Sequence, residues 1–230
     1  MFKYVCQKIF FVGIIVAFFL ILSIYSVSYA AGWRYNNETR WFQKTGLLFV
    51  MSQPSKTDIY LDGKKVAGQT PYLSQAVLPG RYTIEIKKDG YRNWEEEIVA
   101  EEGLVSQRPA VILFLNQANL MEVGEREKKL LDIEKQDVDT NDVFISADNT
   151  ELWYQNKLVG RWLAGISQAK IYNQGSHLTF IREGKLYIIE ANGGHEIELA
   201  KDITGNYVFT DHEKVLIYES MDGLKAVRIR

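Results

Sequence analysis

Apolar and polar residues follow two different patterns along the chain. Residues 9–31 are uncharged and largely apolar, whereas the rest consists of short apolar or alternating runs divided by turn residues. As a helix, residues 9–31 would extend ~35 Å at ~1.5 Å per residue, longer than the ~30 Å hydrocarbon core of a bilayer. The pattern predicts a transmembrane helix over 9–31, with residues 1–8 as a cytoplasmic stub. Trp33 and Tyr35 would then lie at the far membrane interface.

A cleaved signal peptide is the alternative interpretation of this segment. Lys3 and Lys8 precede it, and Ser28-Tyr29-Ala30 resembles the small-residue site at which signal peptides are cleaved. The apolar run is longer than the roughly 7–15 residues of a signal peptide core, which favours a retained anchor. Both interpretations place the chain after about residue 34 outside the cytoplasm, because the following pattern is that of a β-rich exported part.

Turn signals divide residues 46–115 into short strands, since glycine and proline supply backbone angles that other residues reach at a cost. These signals are Asp62-Gly63, Thr70-Pro71, Leu78-Pro79-Gly80 and Gly90-Tyr91, with Trp94 close behind. The runs between them predict strands at 46–52, 57–61, 81–87, 95–100 and 109–115. Residues 46–115 are therefore expected to form a small β module. Residues 32–45 before it are interpreted as a polar and aromatic stalk.

The same module resembles the PEGA domain, a small β-sandwich-like unit of bacterial and archaeal surface proteins. The motif that names that family is replaced here by Pro54-Ser55-Lys56-Thr57. The resemblance implies a β-sandwich that binds rather than catalyses. The residues that carry it are Gly46, Pro54, Ile59-Tyr60-Leu61-Asp62-Gly63, Gly68, Thr70-Pro71, Leu78-Pro79-Gly80, Tyr82, Lys88-Asp89-Gly90-Tyr91 and Trp94.

Residues 143–230 show a weak internal repeat after a charged linker. The linker, residues 116–142, is rich in Glu, Lys and Asp and is expected to hold one or two helical turns. Beyond it, strand and turn signals recur at a period that suits four-stranded propeller blades. The turns Tyr172-Asn173-Gln174-Gly175-Ser176 and Asn192-Gly193-Gly194 resemble those of TolB-like or WD40-like propeller repeats.

A partial β-propeller over 143–230 would be incomplete. Propellers close with about 4–8 blades, and this segment holds only about two and a half. The last strand before Arg230 is expected to leave an open sheet edge that invites pairing with another chain. The sequence leaves three possibilities: a fragment of a longer propeller protein, a sheet completed by a partner, or a fold that is not a propeller.

Charge and cysteine content exclude some classes of protein. The formal net charge is −2, and the part after the apolar segment is mildly acidic, which argues against nucleic acid or anionic lipid as the main partner. Cys6 is the single cysteine and precedes the apolar segment, so no disulfide framework is possible in the exported part. Glu95-Glu96-Glu97 and Glu101-Glu102 are interpreted as a solvated strand and turn.

Motifs that carry chemistry are weak. Ser167-Gln168-Ala169-Lys170 and Lys44-Thr45-Gly46 match two motifs of penicillin-interacting enzymes, but in the reverse order and in β-rich surroundings. The three histidines, His177, His195 and His212, fall in or beside predicted turns and are expected at the surface. Asp137-Val138-Asp139-Thr140-Asn141 resembles the opening of a calcium loop, but Asp142 stands where the loop needs glycine.

The sequence therefore predicts a mainly β, non-catalytic protein of the cell envelope, anchored by residues 9–31. No catalytic, cofactor-binding or metal-binding residue is assigned. Its partner is expected to be a cell-wall polymer or an envelope protein, and Trp94, Tyr91 and Tyr72 are candidates either for exposed contact or for the core of the module. The alternatives are an exported hydrolase, a regulatory subunit of one, or a fragment of a longer propeller protein.

Overall fold

The computed structural model of the chain describes residues 2–134 and 142–230. These residues fall into two compact units. The first contains Met1–Lys87 and Glu95–Val111, and the second contains Lys88–Trp94 and Ile112–Arg230. The fold is mainly β, as predicted: an apolar N-terminal helix is followed by several antiparallel sheets, none of which closes into a barrel within the described residues.

The first unit begins with helix α1, Phe2–Ala30. Its stretch Phe10–Ala30 has a mean hydropathy of 2.7 and exposed apolar side chains, so by length and composition it can cross a membrane or serve as a signal sequence. The predicted apolar helix is confirmed, although α1 also includes residues of the predicted stub 1–8.

A hairpin follows the helix where the sequence predicted a stalk over 32–45. Strands β1, Trp33–Asn36, and β2, Trp41–Lys44, pair antiparallel with Tyr35 opposite Phe42. Asn36 supports the turn between them, because its side-chain oxygen accepts a hydrogen bond of 2.8 Å from the Glu38 amide. Aromatic residues in both strands favour strand pairing. The polar and charged residues between them led to the interpretation of this segment as a stalk.

Two sheets complete the first unit. Their strands are β3 (Gly46–Gln53), β4 (Asp58–Leu61), β5 (Lys64–Gln69), β6 (Tyr72–Val77), β7 (Gly80–Lys87), β8 (Trp94–Ala100) and β9 (Val105–Ile112). The end residues Trp94 of β8 and Ile112 of β9 belong to the second unit. The strand orders are β6-β3-β9 and β5-β4-β7-β8. Burial alternates along the central strands, so that one face of each sheet supplies the apolar core. The core includes Leu48, Val50, Ile59, Ile84 and Ile86.

Three buried hydroxyl groups satisfy one another inside the first unit. The Oγ atom of Ser52 lies 2.8 Å from Thr57 Oγ1 and 2.6 Å from Thr70 Oγ1, and the two threonine oxygens are 2.7 Å apart. Ser52 also donates to the Pro54 carbonyl oxygen at 2.7 Å. A buried hydroxyl group without a hydrogen-bond partner destabilises the folded state. The three side chains avoid this cost by forming one hydrogen-bonded network at the end of β3.

Three successive antiparallel sheets make up most of the second unit. The first sheet contains β11 (Val143–Ile145), β12 (Glu151–Tyr154) and β13 (Lys157–Arg161). The second sheet contains β14 (Ile166–Tyr172), β15 (His177–Arg182), β16 (Lys185–Glu190) and β17 (Ile197–Ala200). The third sheet contains β18 (Ile203–Thr210), β19 (Val215–Ser220) and β20 (Gly223–Arg228).

The predicted linker contributes a fourth strand to the third sheet. Strand β10, Asn119–Met121, pairs antiparallel with β20, with Leu120 opposite Val227. The prediction that the last strand leaves an open sheet edge was therefore wrong. A strand of three exposed residues gives little sequence signal, and its partner is distant in the chain.

Helix α2, Glu125–Glu134, also lies in the predicted linker. The Glu127 carboxylate accepts a hydrogen bond of 3.0 Å from the Gly124 amide and so caps the N-terminus of the helix. Leu131 is buried against the third sheet, in a cluster with Val208, Val215, Ile217 and Ala226. The helix therefore covers one apolar face of that sheet.

The sheets of the second unit pack face against face. One cluster joins the first two sheets and includes Leu152, Ile166, Leu178 and Phe180. A second cluster joins the second and third sheets and includes Tyr172, Leu186, Tyr207, Leu216 and Val227. The second sheet is thus buried on both sides, whereas the first and third each present one face to the second sheet and one away from it.

Gly46 lies where the backbone of β3 approaches the backbone at Glu101 closely in the first unit. A methyl group at Gly46 would overlap the carbonyl oxygen of Glu101, which belongs to the backbone. We expect Gly46→Ala to destabilise the protein by about 1–3 kcal/mol, as overpacking does. Gly80→Ala is the control, since its nearest neighbour would be the Tyr82 ring at 3.7 Å. Denaturant unfolding in detergent micelles measures both; equal stability of the two variants would contradict this packing.

Candidate functional site

A partly buried carboxylate organises one polar cluster of the second unit. Glu190 ends β16, and His177 lies opposite it at the start of β15. The turn after β16 places His195 beside the same carboxylate, and Trp94 contributes its indole ring. We call Trp94, His177, Glu190 and His195 the Glu190 cluster.

Hydrogen bonds occupy both oxygens of Glu190. The Trp94 Nε1 atom donates to Glu190 Oε1 at 2.8 Å, and His195 Nδ1 lies 3.1 Å from the same oxygen. Asn192 Nδ2 donates to Oε2 at 3.2 Å. The Trp94 and His195 rings are stacked with their centroids 4.9 Å apart. The cluster therefore fixes the turn after β16 against the Trp94 indole.

The surroundings of the cluster shift two pKa values. Burial lowers the pKa of the His177 imidazole to about 4, and the nearby Glu190 carboxylate opposes this shift only in part. Burial alone would raise the pKa of Glu190, but hydrogen bonds from His195 and Trp94 outweigh it, and that pKa lies below its ordinary value. At neutral pH the Glu190 carboxylate is charged and the His177 imidazole is neutral.

Two residues of this cluster, His177 and His195, were expected at the protein surface. The predicted surface position is wrong for His177, whose relative exposure is 4%. His212 is exposed, as predicted, and His195 is partly buried. Trp94 was a candidate for exposed contact or for the core, and it is buried. Sequence periodicity gave no sign of the cluster, because the Trp94–Glu190 hydrogen bond joins positions separated by 96 residues.

The outer face of the first sheet carries a row of three apolar side chains, of which the two outer ones are exposed and the central one is partly buried. Phe144, Trp153 and Leu158 lie opposite one another on β11, β12 and β13, and we call this row the aromatic face. The Phe144 and Trp153 rings are nearly parallel, with an interplanar angle of 4° and centroids 5.9 Å apart. Phe144 is 46% exposed and Leu158 is 47% exposed.

Glu151 lies at the edge of the aromatic face and binds two of the side chains there. Its carboxylate accepts a hydrogen bond of 2.9 Å from Trp153 Nε1 and one of 2.7 Å from Arg161 Nε. The indole is thereby held in one orientation beside a charged pair. Tryptophan and arginine are enriched among the residues that contribute most of the binding energy in protein interfaces.

The remaining sequence candidates lie in ordinary structural surroundings. Ser167 is in strand β14, and Lys170 donates from Nζ to the Tyr207 carbonyl oxygen at 2.6 Å. Arg108 binds Glu96 through two hydrogen bonds of 2.5 and 2.6 Å, so this glutamate is paired rather than only solvated. Tyr91 forms a bridge to Leu115, and Tyr72 is in β6.

In the described parts of the chain, no group of three or more His, Cys, Asp or Glu side chains is placed to hold a metal ion. The calcium-loop hypothesis falls on Asp137 to Asn141, which lie outside the described residues. Asp148, which falls at the twelfth position of that candidate loop, is described, and hydrogen bonds from Ser146 and Thr150 lower the pKa of its carboxyl group.

Comparison with known proteins identifies a part of the chain. Residues 45–108 match the PEGA domain family. This match confirms the resemblance for most of the segment on which it was based, and it indicates an extracellular or periplasmic binding-type module. A search of curated proteins found no match to the chain. The propeller-type resemblance of residues 143–230 is not confirmed.

The Glu190 cluster predicts a loss of stability in acid. In the unfolded chain His177 takes up a proton near pH 6.5, whereas in the folded protein its pKa is about 4. The unfolded state therefore binds more protons between these values, so stability falls as pH is lowered from about 6.5 to about 4. The lowered pKa of Glu190 has the same sign and acts below about pH 4.5.

Urea unfolding at pH 7 and pH 5 measures this effect in the wild type and in His177→Phe, which removes the titrating group but keeps a ring. We expect the wild type to lose more stability than the variant between these pH values, by on the order of 1–2 kcal/mol. Because His195 and His212 are present in both proteins, the difference reports on His177. An identical pH dependence of the two proteins would contradict this assignment.

Proposed function

We propose that this protein is a membrane-anchored, non-catalytic binding and assembly protein of the cell envelope, with its C-terminal part outside the cytoplasm. The observation that carries the proposal is the order of two elements. The apolar helix Phe10–Ala30 is long enough to cross a bilayer, and a match to an extracellular type of domain begins at residue 45. The short separation suits a domain held close to the membrane.

The second unit supplies the binding surface in this proposal. Most of its apolar sheet faces are covered by a neighbouring element. The first sheet packs on one face of the second sheet, and the third sheet packs on the other face. Helix α2 covers the face of the third sheet that points away from the second. The aromatic face is the corresponding surface at the other end of the series; Phe144 and Leu158 are exposed there, and Trp153 between them is partly buried. This arrangement also supports interpreting the three sheets as propeller-like blades.

The proposed occupant of the aromatic face is a protein that contributes an apolar helix or sheet face. Two observations favour this partner over a polysaccharide. The equivalent face of the third sheet is covered by an amphipathic helix of the same chain, with Leu131 at its centre. In addition, Trp153 and Arg161 are of the residue types enriched at the energetic centre of protein interfaces.

Membrane topology tests the location. External protease added to spheroplasts should digest the chain beyond about residue 31 and leave an N-terminal fragment protected inside, since the helix would shield it. An N-terminal epitope tag identifies the fragment by immunoblot, and lysed cells are the control in which the tag is digested as well. Protection of the whole chain in intact spheroplasts would contradict the proposed orientation.

The aromatic face is tested by site-specific photo-crosslinking in cells. A photoreactive phenylalanine derivative at position 158 should form one discrete protein adduct, because Leu158 lies in the aromatic face. The same group at position 221 is the matched control, since Met221 is 83% exposed in the turn between β19 and β20 of the same unit. Trp153→Ser should reduce the adduct at position 158 about tenfold or more, as loss of a dominant interface side chain does.

Two results would contradict this assignment. Equal adducts from positions 158 and 221 would show that the aromatic face has no particular partner. Co-sedimentation of the full chain with purified cell-wall polymer, lost in Trp153→Ser, would show that the surface binds polysaccharide. Circular dichroism of each variant establishes that the protein remains folded.

A further inference from the structure

The hairpin β1–β2 is joined closely to the end of helix α1. The Arg34 guanidinium donates from Nη1 to the Tyr29 carbonyl oxygen at 2.7 Å and lies over the Tyr29 ring at 3.5 Å. Thr45 donates to the Gly32 carbonyl oxygen from both its backbone amide, at 2.9 Å, and its Oγ1, at 3.0 Å. These contacts, all within the first unit, hold the hairpin against the last turn of the helix.

The hairpin exposes four large aromatic side chains. Trp33, Tyr35, Trp41 and Phe42 are all exposed, and Trp41 reaches 72%. The Tyr35 and Phe42 rings pack edge to face across the two strands, with centroids 5.4 Å apart. An exposed cluster of large apolar side chains marks a surface that contacts something other than water.

A groove connects this aromatic surface with the apolar helix. It has a volume of about 400 Å³ and is lined by Ile21, Ile24, Tyr25 and Ser28 of α1 and by Trp33 and Phe42 of the hairpin. Ile21 precedes the end of the helix by nine residues, about 13 Å at ~1.5 Å per residue. The hairpin therefore lies back along the final turns of α1, and a bilayer that contains those turns would reach its aromatic side chains.

We propose that the β1–β2 hairpin is a membrane-contact element. Its tryptophan and tyrosine side chains lie in the interfacial layer of the bilayer that α1 crosses, and lipid chains occupy the groove. This inference rests on the proposed membrane anchor. Tryptophan and tyrosine favour the interfacial layer because their rings are apolar with one polar group.

Tryptophan fluorescence tests the proposal, because α1 contains no tryptophan. The full chain is reconstituted into vesicles whose lipids carry bromine at a shallow or a deep position of the acyl chain. Bromine quenches only those tryptophans that lie close to it. The chain holds five tryptophans. We expect a quenchable fraction from Trp33 and Trp41, larger with shallow than with deep bromine.

The variant Trp33→Phe/Trp41→Phe should lose that quenchable fraction, while Trp153→Phe is the matched control and should keep it. Phenylalanine retains an apolar ring at both hairpin positions, and circular dichroism checks the fold. Quenching that persists unchanged in the double variant would overturn the proposal, because other tryptophans would then contact the lipid.

Carbonate extraction of the same vesicles separates this inference from the proposed anchor. Protein that resists extraction but shows no quenching would overturn the hairpin proposal alone. Protein that is extracted and shows no quenching would overturn both. Protein that is quenched before extraction and then released by carbonate would support the membrane contact of the hairpin and contradict the transmembrane anchor.

Discussion

Apolar sheet faces that must be removed from water determine the arrangement of the second unit. Each of its three sheets is short, and none can bury its own apolar face, so neighbouring sheets cover one another. Helix α2 ends the series on one side by placing Leu131 on the third sheet. The aromatic face remains exposed on the other side, and the same physical requirement is the reason for proposing a partner there.

The strands with alternating apolar residues were predictable from the sequence. The strand predicted at 81–87 is found as Gly80–Lys87, where the buried isoleucines Ile84 and Ile86 alternate with partly exposed polar residues. Strand β5 was missed, because it begins with two lysines and contains no such alternation. The strand expected at 109–115 is Val105–Ile112 instead, since its first half is exposed and polar.

Features that depend on distant partners were not predictable from the sequence. The burial of His177 and the ionised state of Glu190 follow from contacts made across strands and with Trp94, and neither residue differs locally from a surface residue. Strand β10 forms because its backbone groups hydrogen-bond to the edge of β20. The aromatic face was equally hidden, because Phe144 and Trp153 are adjacent only once β11 and β12 pair.

The proposed location requires that the apolar helix be retained as a membrane anchor. The most direct measurement is the intact mass of the protein extracted from membranes, with sequencing of its N-terminus. The proposed function predicts a mass that includes residues 1–31. A mature N-terminus at or near Ala31, after the small residues Ser28-Tyr29-Ala30, would show that the helix is a cleaved signal sequence and would contradict the proposed anchor.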